Sequence, residues 1–416
     1  MRVDHIYKME GIKMKIFFLI SLASSMLLAA ESSQLSLKPS LYSRGGITMN
    51  MLKTKEGAGT DRFNLGAWGD QTNAVSNNLT ELTLEAKYGE SLKYTYGVDV
   101  ENSNRFYNGT QQSLHERLNF MEFYQENMSL WFGNRAYRGD GDYLLMNWPL
   151  DEHNLLGGGI RFEKVGQVNL EFAAGIKANF ESAPHNINIW INKIEYPLAN
   201  GKLKSNIEVH KINAPTRQDS LAYITGGQYQ RWGDTIMSGS LYNIFVLNYS
   251  KGNIYSGTMR SLFNSSDKHN LASKVLAKWG GDWKSKTLGL YYAFQYQRHM
   301  GKASNQTWSF IDCHLRPIYA FTGNITLGLD FSQRYTFEMD NLQDSEGYSS
   351  SNEWQYHKTL RSAIMLAYNV RNKMFDTASA RVFVGRVMSE KARQYFVGEA
   401  KTEADNFVRF SYEISL

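Results

Sequence analysis

Apolar and polar residues alternate with period two along much of the chain. Leu82, Leu84, Ala86 and Tyr88 alternate with Thr83, Glu85 and Lys87. After a turn at Gly89-Glu90-Ser91, Leu92, Tyr94, Tyr96, Val98 and Val100 alternate with Lys93, Thr95, Gly97, Asp99 and Glu101. The same rhythm returns in Val168, Leu170, Phe172, Ala174 and Ile176, and in Ile325, Leu327, Leu329 and Phe331. Period two sends successive side chains to opposite faces of a strand. The stretches are close to the ~9–11 residues that a strand tilted across a bilayer needs. Leu241 to Tyr249 alternates poorly. The pattern predicts an all-β chain with one apolar and one polar face per strand.

A soluble β-sandwich or propeller alternates too. Three features favour a transmembrane antiparallel barrel. Tight turns (Lys164-Val165-Gly166, Ala199-Asn200-Gly201, Thr322-Gly323-Asn324) take turns with long polar segments, 102–113, 138–158 and 338–355. Membrane barrels show this asymmetry between their two ends. The polar face carries Glu, Lys, Asp and Arg, which a water-filled lumen accepts and a closed small core rejects. A further strand is expected at the end of the sequence. There Val408, Phe410, Tyr412, Ile414 and Leu416 face one way, and Arg409, Ser411, Glu413 and Ser415 the other. Such a strand closes a barrel against the first one, although it ends in Ser415-Leu416 rather than an aromatic.

Composition sharpens this picture. Only 6 prolines stand among 416 residues, beside 34 glycines, a balance suited to long ladders joined by tight turns. Charged residues at 20% leave no apolar run of transmembrane-helix length. Cys313 is the sole cysteine, so an intrachain disulfide framework and a multi-cysteine zinc site are excluded. The surplus of 45 Lys+Arg over 40 Asp+Glu is too small to mark a nucleic-acid partner. At the N-terminus, Lys13 and Lys15 precede the apolar run Ile16 to Leu28, and Leu28-Ala29-Ala30 offers a cleavage point before Glu31. Residues 1–30 therefore read as a signal peptide, with Met14 the more natural start, and 31–416 as a single barrel domain.

No H-E-x-x-H, G-x-S-x-G, Walker or Rossmann motif occurs, so neither an enzyme nor a cofactor is expected. His153 beside Asp151 and Glu152 reads as a charged loop rather than a metal site. The N-x-S/T triplets, such as those at Asn78, Asn108 and Asn324, carry no weight in an outer-membrane protein. One segment is unusual: Gly133 to Tyr143, then Met146-Asn147-Trp148-Pro149-Leu150-Asp151, between a strand at Met128 to Gly133 and a re-entry at Gly157-Gly158-Gly159. Its Arg, Asp and aromatic residues could bind sugars, rings stacking on pyranose faces while ionic groups bond the hydroxyls. It could equally be an external loop of mixed charge.

Ser129 to Tyr143 (S-L-W-F-G-N-R-A-Y-R-G-D-G-D-Y), with Asn147 to Asp151 and the following G-G-G-I-R-F-E, resembles the maltoporin family of carbohydrate-selective porins. Leu41 to Ile47 resembles that family's first strand, Arg62 to Gly66 the entry to its second, Leu315 to Tyr319 a late strand and Ala380 to Val384 one near the end. The resemblance is patchy between 185 and 305.

What it implies is a barrel of about 18 antiparallel strands in the bacterial outer membrane, with an inward-folded constriction loop, assembled as a homotrimer in outer-membrane lipid. Transport would be passive diffusion of maltodextrin-like oligosaccharides along an aromatic slide flanked by ionisable residues. Tyr42 falls at the first-strand slide position and Trp148 where the constriction loop supplies an aromatic. Phe106 and Tyr107 stand where the family sends an aromatic into a neighbouring subunit. Arg44, Glu81 and Arg117 match pore positions on the first strands, and Arg138, Asp140, Asp142 and Asp151 the ionic positions of the loop. Near Leu79 the slide is interrupted. A general diffusion porin, or a channel for another small solute, would share this barrel without the sugar site. A secreted β-rich sugar-binding protein would share the aromatics without the membrane.

Overall fold

The computed structural model describes residues 35–50, 76–105, 109–138, 152–177, 186–213, 221–251, 271–301, 307–340, 356–370, 377–391 and 402–416. These form eighteen strands. The first nine are β1 (Leu35–Asn50), β2 (Ser76–Tyr88), β3 (Leu92–Arg105), β4 (Gly109–Gln125), β5 (Met128–Arg138), β6 (Glu152–Val165), β7 (Val168–Lys177), β8 (Asn186–Leu198) and β9 (Gly201–Asn213). There follow β10 (Leu221–Ile236), β11 (Gly239–Lys251), β12 (Leu271–Lys284), β13 (Leu288–Gly301), β14 (Thr307–Ala320), β15 (Ile325–Asp340), β16 (Tyr356–Val370), β17 (Thr377–Lys391) and β18 (Thr402–Ser415).

Each strand pairs antiparallel with its sequence neighbours, and β1 pairs with β18, so the sheet closes on itself. At the seam Leu41 and Leu416 exchange both backbone hydrogen bonds, 3.3 and 2.9 Å. The expected all-β barrel is therefore the observed fold; of the segment expected as a constriction loop after Gly133, residues 134–138 continue β5, while 139–151 and the leader at 1–30 lie outside the described residues.

The two ends differ as the turns predicted. Even-to-odd connections are tight, as at Glu126-Asn127, Gly166-Gln167 and Ala199-Asn200. Met237-Ser238, both with positive φ (50° and 63°), make a two-residue hairpin whose twist matches the flanking strands. Two expectations need correction. The polar segment 102–113 is not a long loop: β3 and β4 pair through Asn102↔Gln112 and Arg105↔Gly109, leaving 106–108 as the connection. Strands that run past the apolar slab of the membrane need no apolar face, so their polarity hides them. Gly157-Gly158-Gly159 likewise lies inside β6, which begins at Glu152. There the missing side chain of Gly159 lets Trp131 lie against the wall, where a Cβ would collide with the indole Nε1.

The alternation sorts outside from inside. Leu329, Phe331, Ile364, Leu366, Val384 and Phe410 face outward and are exposed, forming the lipid-facing band. On the outer wall Tyr229, Phe245, Trp279 and Phe294, from four adjacent strands, stack at 6.2, 5.9 and 5.2 Å. The inward face is not uniformly polar. Trp131, Leu155, Ile189 and Ile191 face the lumen at 0% exposure and pack with Phe120 and Ala173. Beyond the buried polar Asn206, Glu208 and His210 of β9, Ala222 and Ile224 on β10 and Ile244 and Val246 on β11 add further apolar side chains to the inward face. Two apolar faces erase alternation, which explains the poor signal at Leu241 to Tyr249.

Candidate functional site

Closure of the barrel assembles a polar cluster on the lumen wall. Tyr42 stands opposite Glu81 on β2 and Ser415 on β18, and Arg44 opposite Glu413. Two residues apart, Tyr42 and Arg44 share the lumen face. The Tyr42 hydroxyl donates to Glu413 Oε1 at 3.1 Å, with the Arg44 guanidinium beside the phenol. From β17, Arg381 Nη2 donates to Glu413 Oε2 at 2.8 Å. The Glu413 carboxylate thus bridges three strands.

The next ion pairs depend on a bulge. Gly97 pairs with Leu118 but Val98 pairs with Glu116, so Arg117 is the extra residue of β4. In strict alternation with lumen-facing Phe120 and Glu122, Arg117 would point at lipid. The bulge re-aims it inward, where Nη1 lies 2.6 Å from Glu81 and Nε 3.1 Å from Asp99. The Glu116 carbonyl at the bulge is met by Asn134 Nδ2 at 3.4 Å. Around the wall from β17 to β4 the charges run Arg381, Glu413, Arg44, Glu81, Asp99, Arg117: three cations and three carboxylates. Their side chains keep some contact with the lumen, 13% for Glu81 and Asp99 and 25% for Glu413.

A second cluster adjoins it on β3 to β5. Glu122 receives Lys93 at 2.9 Å and the Tyr124 hydroxyl at 2.6 Å. Arg135, 3.6 Å away, lies 5.3 Å from the centres of both the Phe120 and the Trp131 rings. Next to it around the barrel, β13 to β18 carry a buried network. Asp330 accepts from Arg316 Nε at 2.9 Å and lies 3.1 Å from Arg361 Nη2. Asp312 is held by Arg334 at 2.7 and 3.0 Å and by Gln295 at 3.0 Å. Three guanidinium groups, of Arg316, Arg361 and Arg409, surround the Phe383 ring within 5.5–5.9 Å. With Asp312 and Asp330 at 0% exposure, these groups tie strands together.

Of the residues singled out in the sequence, Tyr42, Arg44, Glu81 and Arg117 come together on one patch of wall. Phe106, Tyr107, Asp140, Asp142, Trp148 and Asp151 lie outside the described residues. Arg138 ends β5 opposite Glu152, and its side chain is not among those described. Leu79 holds the register position opposite Arg44. Sequence reasoning missed Asp99, Arg381 and Glu413 as members of the site. Two of them, Asp99 and Glu413, were legible as polar-face residues of alternating strands, but only closure of the barrel places Glu413 beside Tyr42. Among the described residues no cluster of His, Cys, Asp and Glu could hold a metal ion. The arrangement offers hydrogen-bond donors and acceptors of both signs beside an aromatic ring.

A family model described as LamB porin matches residues 41–409. No curated protein sequence matches the chain. Among solved structures, Acinetobacter baumannii OccAB1 superposes with a TM-score of 0.55 at 9% identity, covering 91% of this chain and 96% of that one. Pseudomonas aeruginosa OccD3 (OpdP) gives 0.52 at 8% identity, covering 92% of each. Pseudomonas aeruginosa OprD gives 0.52 at 9%, covering 92% and 95%. At such identities the likeness speaks for the fold alone.

Proposed function

This chain belongs to the LamB porin family and is a bacterial outer-membrane porin, a channel and not an enzyme; from that premise we propose that it passes oligosaccharides of the maltodextrin kind by passive diffusion. The observation that carries this reading is the balanced ionic patch around Tyr42. Three arginines and three carboxylates stand together beside one lumen-facing ring. A net-neutral set of donors and acceptors suits hydroxyl groups, each of which can do both, whereas a site for a charged solute needs an excess of one sign. Tyr42 supplies the apolar face on which a pyranose can stack.

In this reading Arg44, Glu81, Asp99, Arg117, Arg381 and Glu413 exchange hydrogen bonds with the passing sugar. Trp148 and the loop residues Asp140, Asp142 and Asp151, with Arg138 at the end of β5, form the constriction, and Phe106 and Tyr107 reach a neighbouring subunit of a homotrimer. Residues 1–30 direct export. The alternative is a general diffusion porin or a channel for another small solute, which would share this barrel without using the Tyr42 patch as a sugar site.

Current block in planar bilayers separates the two. Linear malto-oligosaccharides should interrupt the ion current of the wild-type channel, and Tyr42→Ala should weaken that block several-fold, about 1 kcal/mol for a lost aromatic contact. If no linear oligosaccharide blocks the wild-type current, the sugar reading gives way to the general porin. Crosslinking in native membranes tests the trimer, since only monomeric bands would refute it.

A further inference from the structure

The Glu413 carboxylate has an unusual position. It lies on β18, yet one oxygen accepts from Tyr42 on β1 at 3.1 Å and the other from Arg381 on β17 at 2.8 Å. We propose that Glu413 fixes the pose of the Tyr42 ring and, paired with Arg381, is a specificity-determining group for adjacent hydroxyls of the sugar; this deepens the reading above and rests on it.

Three observations support the assignment. First, a tyrosine on an open lumen wall can swing about its side-chain torsions, and an aromatic platform works only if its face is held toward the path. The hydrogen bond from its hydroxyl supplies that restraint, and the Arg44 guanidinium flanks the same phenol. Second, the pair offers both kinds of group: each carboxylate oxygen carries two lone pairs, and the guanidinium is a donor only. An acceptor and a donor thus stand side by side next to a ring, which complements neighbouring hydroxyls on the edge of a pyranose whose C–H face lies on that ring. Third, the pair can be reached. Glu413 and Arg381 keep 25% and 13% side-chain exposure, whereas the ion pair of Arg316 with Asp330 keeps 3% and 0%. Because Glu413 balances Arg381, the pair gives an anion little advantage over a neutral polyol.

The test uses the purified full-length channel in planar bilayers, with linear malto-oligosaccharides as the probe and four variants. Tyr42→Phe keeps the ring and removes the tether, so the block should weaken by roughly 2- to 10-fold, the range of one net hydrogen bond. Glu413→Ala removes both the restraint and an acceptor for the sugar, so it should weaken the block at least as much, and the double variant should weaken it no more than Glu413→Ala alone. Glu413→Gln retains an acceptor for Tyr42, so it should recover part of the block that Glu413→Ala loses. A residue needed only to close the barrel would lower the unfolding midpoint in lipid and leave the block of folded channels unchanged. Wild-type block in both Tyr42→Phe and Glu413→Ala channels overturns the proposal while the sugar reading stands. Should Glu413→Ala fail to assemble, Tyr42→Phe alone decides between these outcomes. A wild-type channel that no sugar blocks overturns both.

Discussion

Arg117 owes its place in the lumen to one extra residue in β4, and the electrostatics of the wall follow from that insertion. Its guanidinium stands between Glu81 and Asp99, 2.6 and 3.1 Å away. Replacing it by methionine leaves two carboxylates facing each other without their cation. Breaking a fully buried pair costs about 3–5 kcal/mol; here water reaches the groups, so a loss of about 2 kcal/mol is expected in lipid refolding titrations. Restoring neutrality with Glu81→Gln in the same chain should recover part of it. Single channels of Arg117→Met should also shift their reversal potential toward cation preference, because a cation is lost from the pore wall. The Met237-Ser238 hairpin makes a separate point. Both residues hold positive φ, a conformation that costs a residue with a Cβ about 1–2 kcal/mol. Ser238→Gly should therefore raise stability by about 0.5–1 kcal/mol, read as a higher urea midpoint with an unchanged slope.

At the scale of the strand, period two names the face, and the face sets the cost of a charge. On β2, Leu82 points at lipid and Glu85 into the lumen. Leu82→Arg should impair insertion by about 2–4 kcal/mol if it lies near the midplane, and Glu85→Arg by much less. Equal folding yields in lipid would reverse this assignment. Strands β2, β3, β7, β15 and β18 were legible in the sequence because one of their faces is polar. Strands β8, β10 and β11 were not, since Ile189, Ile191, Ile224 and Ile244 turn apolar side chains into the lumen as well. That burial has a measurable cost of removal. Ile191→Ala should destabilise by about 2–5 kcal/mol, as in a packed core, where a water-lined wall would give almost nothing. The lumen-facing residues Tyr42, Arg44 and Glu81 could be placed from local alternation and resemblance. Arg381 and Glu413 could not be joined to them, because their proximity depends on a pairing between the two ends of the barrel. Arg117 was found by resemblance alone, since a bulge breaks the alternation that would have misplaced it.

For the whole molecule, these features place the wetter polar groups on the wall from β17 to β4, beside the seam, while the adjoining wall of β13 to β16 is dry and cross-braced. The sugar path proposed above thus runs next to the joint that makes the barrel a barrel, and its residues serve both purposes. That joint also governs how the chain must assemble. Every other pairing is a hairpin between neighbours in sequence, whereas Tyr42 and Glu413 are 371 residues apart. Bringing such distant segments together carries an entropic cost of about 5 kcal/mol, met in a single late step. Until then β1 and β18 are open edges, each able to pair with another chain. The growing meander is thus at greatest risk of aggregation just before closure, and a chain lacking β18 should precipitate rather than settle into a smaller barrel. Assembly in the cell accordingly needs a factor that shields the two edges and brings them together, and the demand for it should rise with every substitution that weakens the Tyr42–Glu413 contact.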